Sequence, residues 1–226
     1  MSDVDASPNA LTGIRSKRLL VVLDVDSTLI ENEAIELLAA EAGSLEVVAD
    51  VTERAMRGEL DFAQSLRDRV ATLGGLPESV FDLVRGRIIV TAGVPELIAG
   101  VKAAGGHVGV VSGGFHELLD PLAAELGLDF WHANRLEVVD GLLTGNLVGA
   151  VVDGAAKAEC LVAWAAETMT SLEDTVAIGD GANDLAMMAA AGLSIAFCAK
   201  PIVQAQADVA INTRNMSPVL EIIGLG

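Results

Sequence analysis

Leu19-Leu20-Val21-Val22-Leu23-Asp24-Val25-Asp26 is the stretch that decides the fold. An unbroken aliphatic run that stops at acidic residues suits a strand buried on both faces, as in a parallel sheet. Similar runs recur at His107-Val108-Gly109-Val110-Val111 before Ser112, and at Thr175-Val176-Ala177-Ile178 before Gly179-Asp180. A further one is Leu193-Ser194-Ile195-Ala196-Phe197. Helix-period patterns lie between them, at 94–104, 117–126, 155–169 and 185–191. Such alternation predicts an α/β fold with a doubly wound, Rossmann-like parallel sheet.

Two stretches break the alternation. The gap between the first two strands far exceeds a normal crossover, and its apolar residues keep helical spacing: Ala34-Ile35-Leu37-Leu38, Val47-Val48-Val51, Phe62-Leu66-Val70. A helical cap inserted after the first strand, residues 31–92, is expected. The second break is Arg135–Val139 and Leu142–Val148 around Asp140-Gly141, a hairpin signal. The expected organisation is a flexible tail at 1–18, the cap at 31–92, and a catalytic core from 19–30 and 93–226.

Composition narrows the function. A formal net charge of −18 repels nucleic acid and anionic membrane, so neither is expected as a partner. It also repels phosphorylated small molecules at long range, so a site for one needs local positive charge. Cys160 and Cys198 are too few and too far apart for a disulfide framework. With no signal-peptide run before Leu19 and no stretch long enough to span a bilayer, a cytoplasmic protein is expected, as monomer or homodimer.

At the carboxyl ends of the strands, where open α/β sheets bind ligands, fall Asp24-Val25-Asp26-Ser27-Thr28, Ser112-Gly113-Gly114, Lys157, and Gly179-Asp180-Gly181-Ala182-Asn183-Asp184. Taken singly these are turns, helix caps or a solvated lysine. Jointly they place Asp24, Asp26, Asp180 and Asp184 on one rim. Like charges at contact cost about 4 kcal/mol per pair at an effective dielectric of about 20. A hard divalent cation relieves that repulsion, and oxygen-only ligands suit Mg2+. Ser112 with the Gly113 and Gly114 amides at a helix start is expected to cradle an anion, and Lys157 to add charge for it. The set describes a phosphoryl-transfer site.

In order and wording, Asp-Val-Asp-Ser-Thr, Val-Ser-Gly-Gly-Phe, Lys and Ile-Gly-Asp-Gly-Ala-Asn-Asp resemble the haloacid-dehalogenase-like (HAD) superfamily, and within it the phosphoserine phosphatases. The likeness runs from about Leu19 to the C-terminus. It implies hydrolysis of O-phosphoserine to serine and phosphate, the last step of serine biosynthesis. Asp24 would be the nucleophile, forming an aspartyl-phosphate, and Asp26 the proton donor and acceptor. Mg2+ would be held by Asp24, the Asp26 backbone carbonyl and Asp180, with Asp184 supporting. Ser112, Gly113 and Lys157 would hold the phosphoryl oxygens, and Asn183 would orient phosphate or water. The resemblance further places Glu33, Met56, Phe62 and Arg69 in the substrate pocket. Chemically, Glu33 suits an ammonium and Arg69 a carboxylate, while Phe62 and Met56 would exclude water. Phosphotransfer to another alcohol such as homoserine, or action on another small phosphate, passes through the same intermediate. A phospho-ligand-binding module without catalysis fits poorly, because both Asp24 and Asp26 are present.

Overall fold

The computed structural model describes residues 4–6, 19–56 and 59–226. The run at Leu20–Leu23 forms strand β2, with all four residues buried. Its side chains alternate between the two sheet faces: Leu19, Val21 and Leu23 enter one apolar cluster, Leu20 and Val22 another. The same division holds for β6 (Thr175–Gly179), where Val176 and Ile178 face one way and Ala177 the other. Strands with two dry faces need a helical layer on each. The first cluster is completed by α5 (Val94–Ala103), α6 (His116–Leu126) and α10 (Pro218–Ile222). The second is completed by α7 (Gly154–Glu167), α8 (Leu185–Ala190) and α9 (Pro201–Gln204).

The remaining strands are β1 (Val4–Ala6), β3 (His107–Phe115), β4 (Phe130–Val139), β5 (Leu142–Val148), β7 (Leu193–Phe197) and β8 (Val209–Ile211). The sheet order is β1-β8-β7-β6-β2-β3-β4-β5. All pairings are parallel except β1 with β8 and β4 with β5. From β2 the chain winds outward through β3 on one side and through β6, β7 and β8 on the other. The carboxyl end of β2 is therefore the switch point, where a doubly wound sheet opens a crevice.

Among the described residues, four helices stand between β2 and α5: α1 (Ala34–Ala42), α2 (Leu45–Met56), α3 (Phe62–Ala71) and α4 (Val80–Arg85). They have their own apolar cluster, in which Ile35, Leu38, Leu66, Val70 and Phe81 meet Phe115 and Leu118 of the core and Leu136 and Leu143 of the hairpin. The hairpin turn has φ of 50° at Asp140 and 75° at Gly141, the left-handed pair that a tight two-residue turn requires. Backbone bonds from Gly75 N–H to the Leu143 carbonyl and from Leu143 N–H to the Leu76 carbonyl tie the hairpin to the helices.

Two expectations are corrected. Val4–Ala6, placed in a flexible tail at 1–18, pairs antiparallel with β8, whose outer edge would otherwise be unpaired, and the rest of that expected tail lies outside the described residues. Ser112-Gly113-Gly114 is not a helix start. Phe115 pairs with Asn134 of β4, the strand runs through the glycines, and α6 begins only at His116. Among the described residues, no helix is long and apolar enough to cross a membrane.

Candidate active site

Asp24 continues the β2 backbone past the end of the strand, with its N–H donated to the Ile178 carbonyl of β6 at 2.9 Å. The residue is only 4% exposed. The carboxylate needs a partner in that setting, and Lys157 supplies it. Asp153 caps α7 by accepting from the Ala156 N–H at 3.0 Å, which sets Lys157 in the first turn facing the sheet. The ammonium is fully buried and lies 2.5 Å from Asp24 Oδ1 and 2.7 Å from Asp184 Oδ1. Burial works against its charge, but the pull of Asp24 and Asp184 prevails and holds its pKa above the ordinary lysine value.

Asp184 is held from its other side. Its Oδ2 accepts from the N–H groups of Asp180 and Gly181, at 3.1 and 3.0 Å. Gly179 allows this approach, since a Cβ there would collide with the Asp184 carboxyl group. Asp180 is half-buried beside it. Burial and the Asp184 charge push its pKa up to about 6, although Lys200 and Lys157 pull it down. Burial and Asp184 likewise raise Asp24, against the pull of Lys157.

Carboxylate oxygens of Asp24, Asp180 and Asp184 lie within 4.8 Å of one another. One buried ammonium does not balance three such groups. The donors are all oxygen and crowded enough to push two of their pKa values up, which fits a hard divalent cation. The side chain of Asp26 is outside this trio and has other partners. Its Oδ1 accepts from the Ala34 N–H at 2.6 Å and its Oδ2 from Ser112 Oγ at 3.0 Å. Burial raises the Asp26 pKa, against those two hydrogen bonds.

The glycine pair serves close approach. A Cβ on Gly114 would stand 2.8 Å from Asp26 Oδ2, and its N–H is already donated to Ser112 Oγ at 2.8 Å. The Gly114 amide therefore faces Ser112 and not an open anion site, which corrects the expected cradle. Gly113 is partly open, under Phe62, whose ring Cζ lies 3.1 Å from where a Cβ would be. Phe62 and Arg69 belong to α3, which is capped by Asp61 accepting from the Gln64 N–H.

Arg69 is half-buried, with Nε donated to the Ser65 carbonyl at 3.2 Å. Burial lowers its pKa while Glu33 and Asp26 act to raise it, so the guanidinium shares a field with both acids. Arg67 points outward. Glu33 is raised to about 7 by burial and by the Asp26 charge. Asn183 is half-exposed in the short turn Ala182–Asp184. Met56 ends α2, and its side chain lies outside the described residues. Lys200 was not anticipated: its N–H is donated to the Asp180 carbonyl and its charge opposes the rise of the Asp180 pKa. Its position just after β7 was the available signal.

Strand order, the acidic loop after β2 and the acidic trio together fit a phosphohydrolase of the haloacid dehalogenase type. The family model described as haloacid dehalogenase-like hydrolase matches residues 21–189, and the chain belongs to that family. Within it, the relatives are phosphoserine phosphatases. The Streptococcus thermophilus phosphoserine phosphatase is 53% identical over 90% of this chain and 95% of its own length. That of Streptomyces coelicolor is 54% identical over 93% of this chain, which spans 52% of that longer protein. A solved phospho-aspartyl intermediate analogue of phosphoserine phosphatase superposes with a TM-score of 0.86 at 47% identity, covering 91% of this chain and 99% of the other.

The buried ammonium gives a direct test of the site's electrostatics. Lys157→Met keeps the volume and strands two buried carboxylates, so urea unfolding should show a loss of about 3–5 kcal/mol. Unchanged stability would mean that Asp24 and Asp184 are not held there as ions.

Proposed function

We propose that this protein hydrolyses O-phosphoserine to serine and phosphate through an aspartyl-phosphate on Asp24, closing a route of serine synthesis. The observation that carries the reading is the buried Asp24 carboxylate, ion-paired to Lys157 at the sheet's switch point and flanked by Asp180 and Asp184. The phospho-aspartyl analogue of a relative at 47% identity supports the covalent step.

In this reading an Asp24 oxygen attacks phosphorus in line, and the P–O bond to serine breaks as the aspartyl-phosphate forms. Asp26, whose protonated form burial favours, gives its proton to the departing serine oxygen. The same carboxylate then takes a proton from water, whose oxygen attacks phosphorus and releases phosphate and Asp24. Lys157 balances charge on Asp24 and stands where a phosphoryl oxygen can share its ammonium. Ser112 can turn its hydroxyl from Asp26 to the phosphoryl group, joined by the Gly113 N–H, and Asn183 orients phosphate or water. Mg2+ held by Asp24, Asp180 and the Asp26 carbonyl, with Asp184 behind, would supply positive charge to the phosphoryl oxygens.

Glu33 receives the substrate ammonium and Arg69 its carboxylate. Residues 31–92 act as the cap, with Phe62 covering Gly113 from above, while 19–30 and 93–226 form the catalytic core. A cytoplasmic setting fits the free thiols of Cys160 and Cys198.

Purified protein should release phosphate from O-phosphoserine only with Mg2+. Asp24→Asn should lower kcat by at least about a thousandfold, as loss of a covalent nucleophile does. Turnover that survives excess chelator, or that mutation, contradicts the mechanism.

The pH dependence has a defined sign. Glu33, raised to about 7, is neutral at lower pH and cannot offset an ammonium. KM for O-phosphoserine should therefore fall as pH rises from about 6 to 8. The ester lacking the amine, 3-phosphooxypropionate, reports the ionisation of phosphate alone. Glu33→Gln should leave only the slope seen with that control. An unchanged KM profile in Glu33→Gln contradicts the assignment.

A further inference from the structure

Ser27 has no part in the chemistry above, yet its conformation is the most constrained in the nucleophile loop. It is a non-glycine residue at φ 57°, ψ 1°, inside an irregular turn spanning Val25–Leu29. A left-handed residue with a Cβ is strained and persists only where its surroundings demand it. Three bonds make that demand. The Ser27 N–H is donated to the Asn32 carbonyl at 3.1 Å, and its own carbonyl accepts from Arg214 Nη1 at 3.3 Å. The hydroxyl is donated to Glu33 Oε1 at 2.6 Å, a short charge-assisted bond.

The partners lie where the chain leaves the core for the helices. Asn32 Oδ1 accepts from the Ile89 N–H at 2.8 Å, Glu31 N–H is donated to the Ile89 carbonyl, and Ile30 pairs with Val90. Outgoing and returning strands of the insert are thus clamped together, with Glu33 just beyond the clamp. One residue on, the Ala34 N–H binds Asp26. The backbone at Glu33 is fixed by these contacts, but its side chain has rotatable bonds of its own. Within that clamp, Ser27 Oγ is the group that holds the carboxylate.

We infer that Ser27 is a positioning residue for amino-group recognition: its left-handed backbone aims the hydroxyl at Glu33, which locks one carboxylate oxygen and presents the other to the substrate ammonium. The inference rests on the phosphoserine reading above. It makes selectivity for an amino acid ester depend on a residue of the nucleophile loop, so that the reacting carboxylate and the ammonium-binding carboxylate are set by one turn.

Ser27→Gly is the informative substitution, because glycine accepts φ 57° without strain and the hydroxymethyl group is removed with the turn kept. The measurement is the ratio of kcat/KM for O-phosphoserine to that for 3-phosphooxypropionate, in wild type, Ser27→Gly, Glu33→Ala and the double variant. Loss of one charge-assisted hydrogen bond should lower the ratio about tenfold, with the change in KM rather than kcat. In the Glu33→Ala background, Ser27→Gly should lower it no further. Parallel losses on both esters, an unchanged ratio, or additive effects in the double variant would overturn the assignment and leave Ser27 a loop-shaping residue. A wild type with no preference for the amine-bearing ester would instead sink the substrate reading itself, and this inference with it.

Discussion

Everything at the crevice depends on one buried ammonium set between two buried carboxylates. Lys157 on α7 reaches Asp24 after β2 and Asp184 before α8, so three elements distant in sequence share one charge cluster. Ions taken out of water are costly unless their geometry is good, and a pair broken on one side is costlier than no pair at all. The cluster is therefore poor evidence of added stability but strong evidence of register. Asp24 cannot turn to solvent without stranding Lys157, and the α7 start cannot shift without stranding Asp184.

Negative charge remains beyond what that ammonium balances. Burial and the Asp184 charge push Asp180 up to about 6, and burial raises Asp26 against the hydrogen bonds that it accepts. The glycines have the complementary task of bringing groups into contact. Gly179 admits Asp184, and Gly114 admits both Asp26 and Ser112. A methyl group at either place would push these groups apart.

Much of this was legible in the sequence because it is local. Continuous aliphatic runs gave β2, β6 and β7 nearly to the residue, and Asp140-Gly141 gave the hairpin. What stayed hidden depends on pairing between distant segments. Val209–Ile211 is too short to signal a strand until β7 is beside it, and Val4–Ala6 is a strand only because β8 offers an edge. The first half of β4 carries exposed Trp131 and His132 and shows no alternation, so its pairing with β3 was not anticipated. That pairing also carries β3 through Ser112-Gly113-Gly114, which local rules assign to a helix start. The left-handed backbone of Ser27 leaves no compositional trace, because serine normally avoids it.

In the proposed mechanism the oxygen which receives the phosphoryl group belongs to Asp24. Protein mixed with O-phosphoserine and Mg2+, quenched in acid within its first turnovers and digested, can be mapped by mass spectrometry for an acid-stable phosphoryl adduct. The adduct should fall on Asp24, in the peptide that contains β2. Its appearance on Asp26, Asp180 or any other side chain, or steady turnover with no adduct on the enzyme, would contradict it.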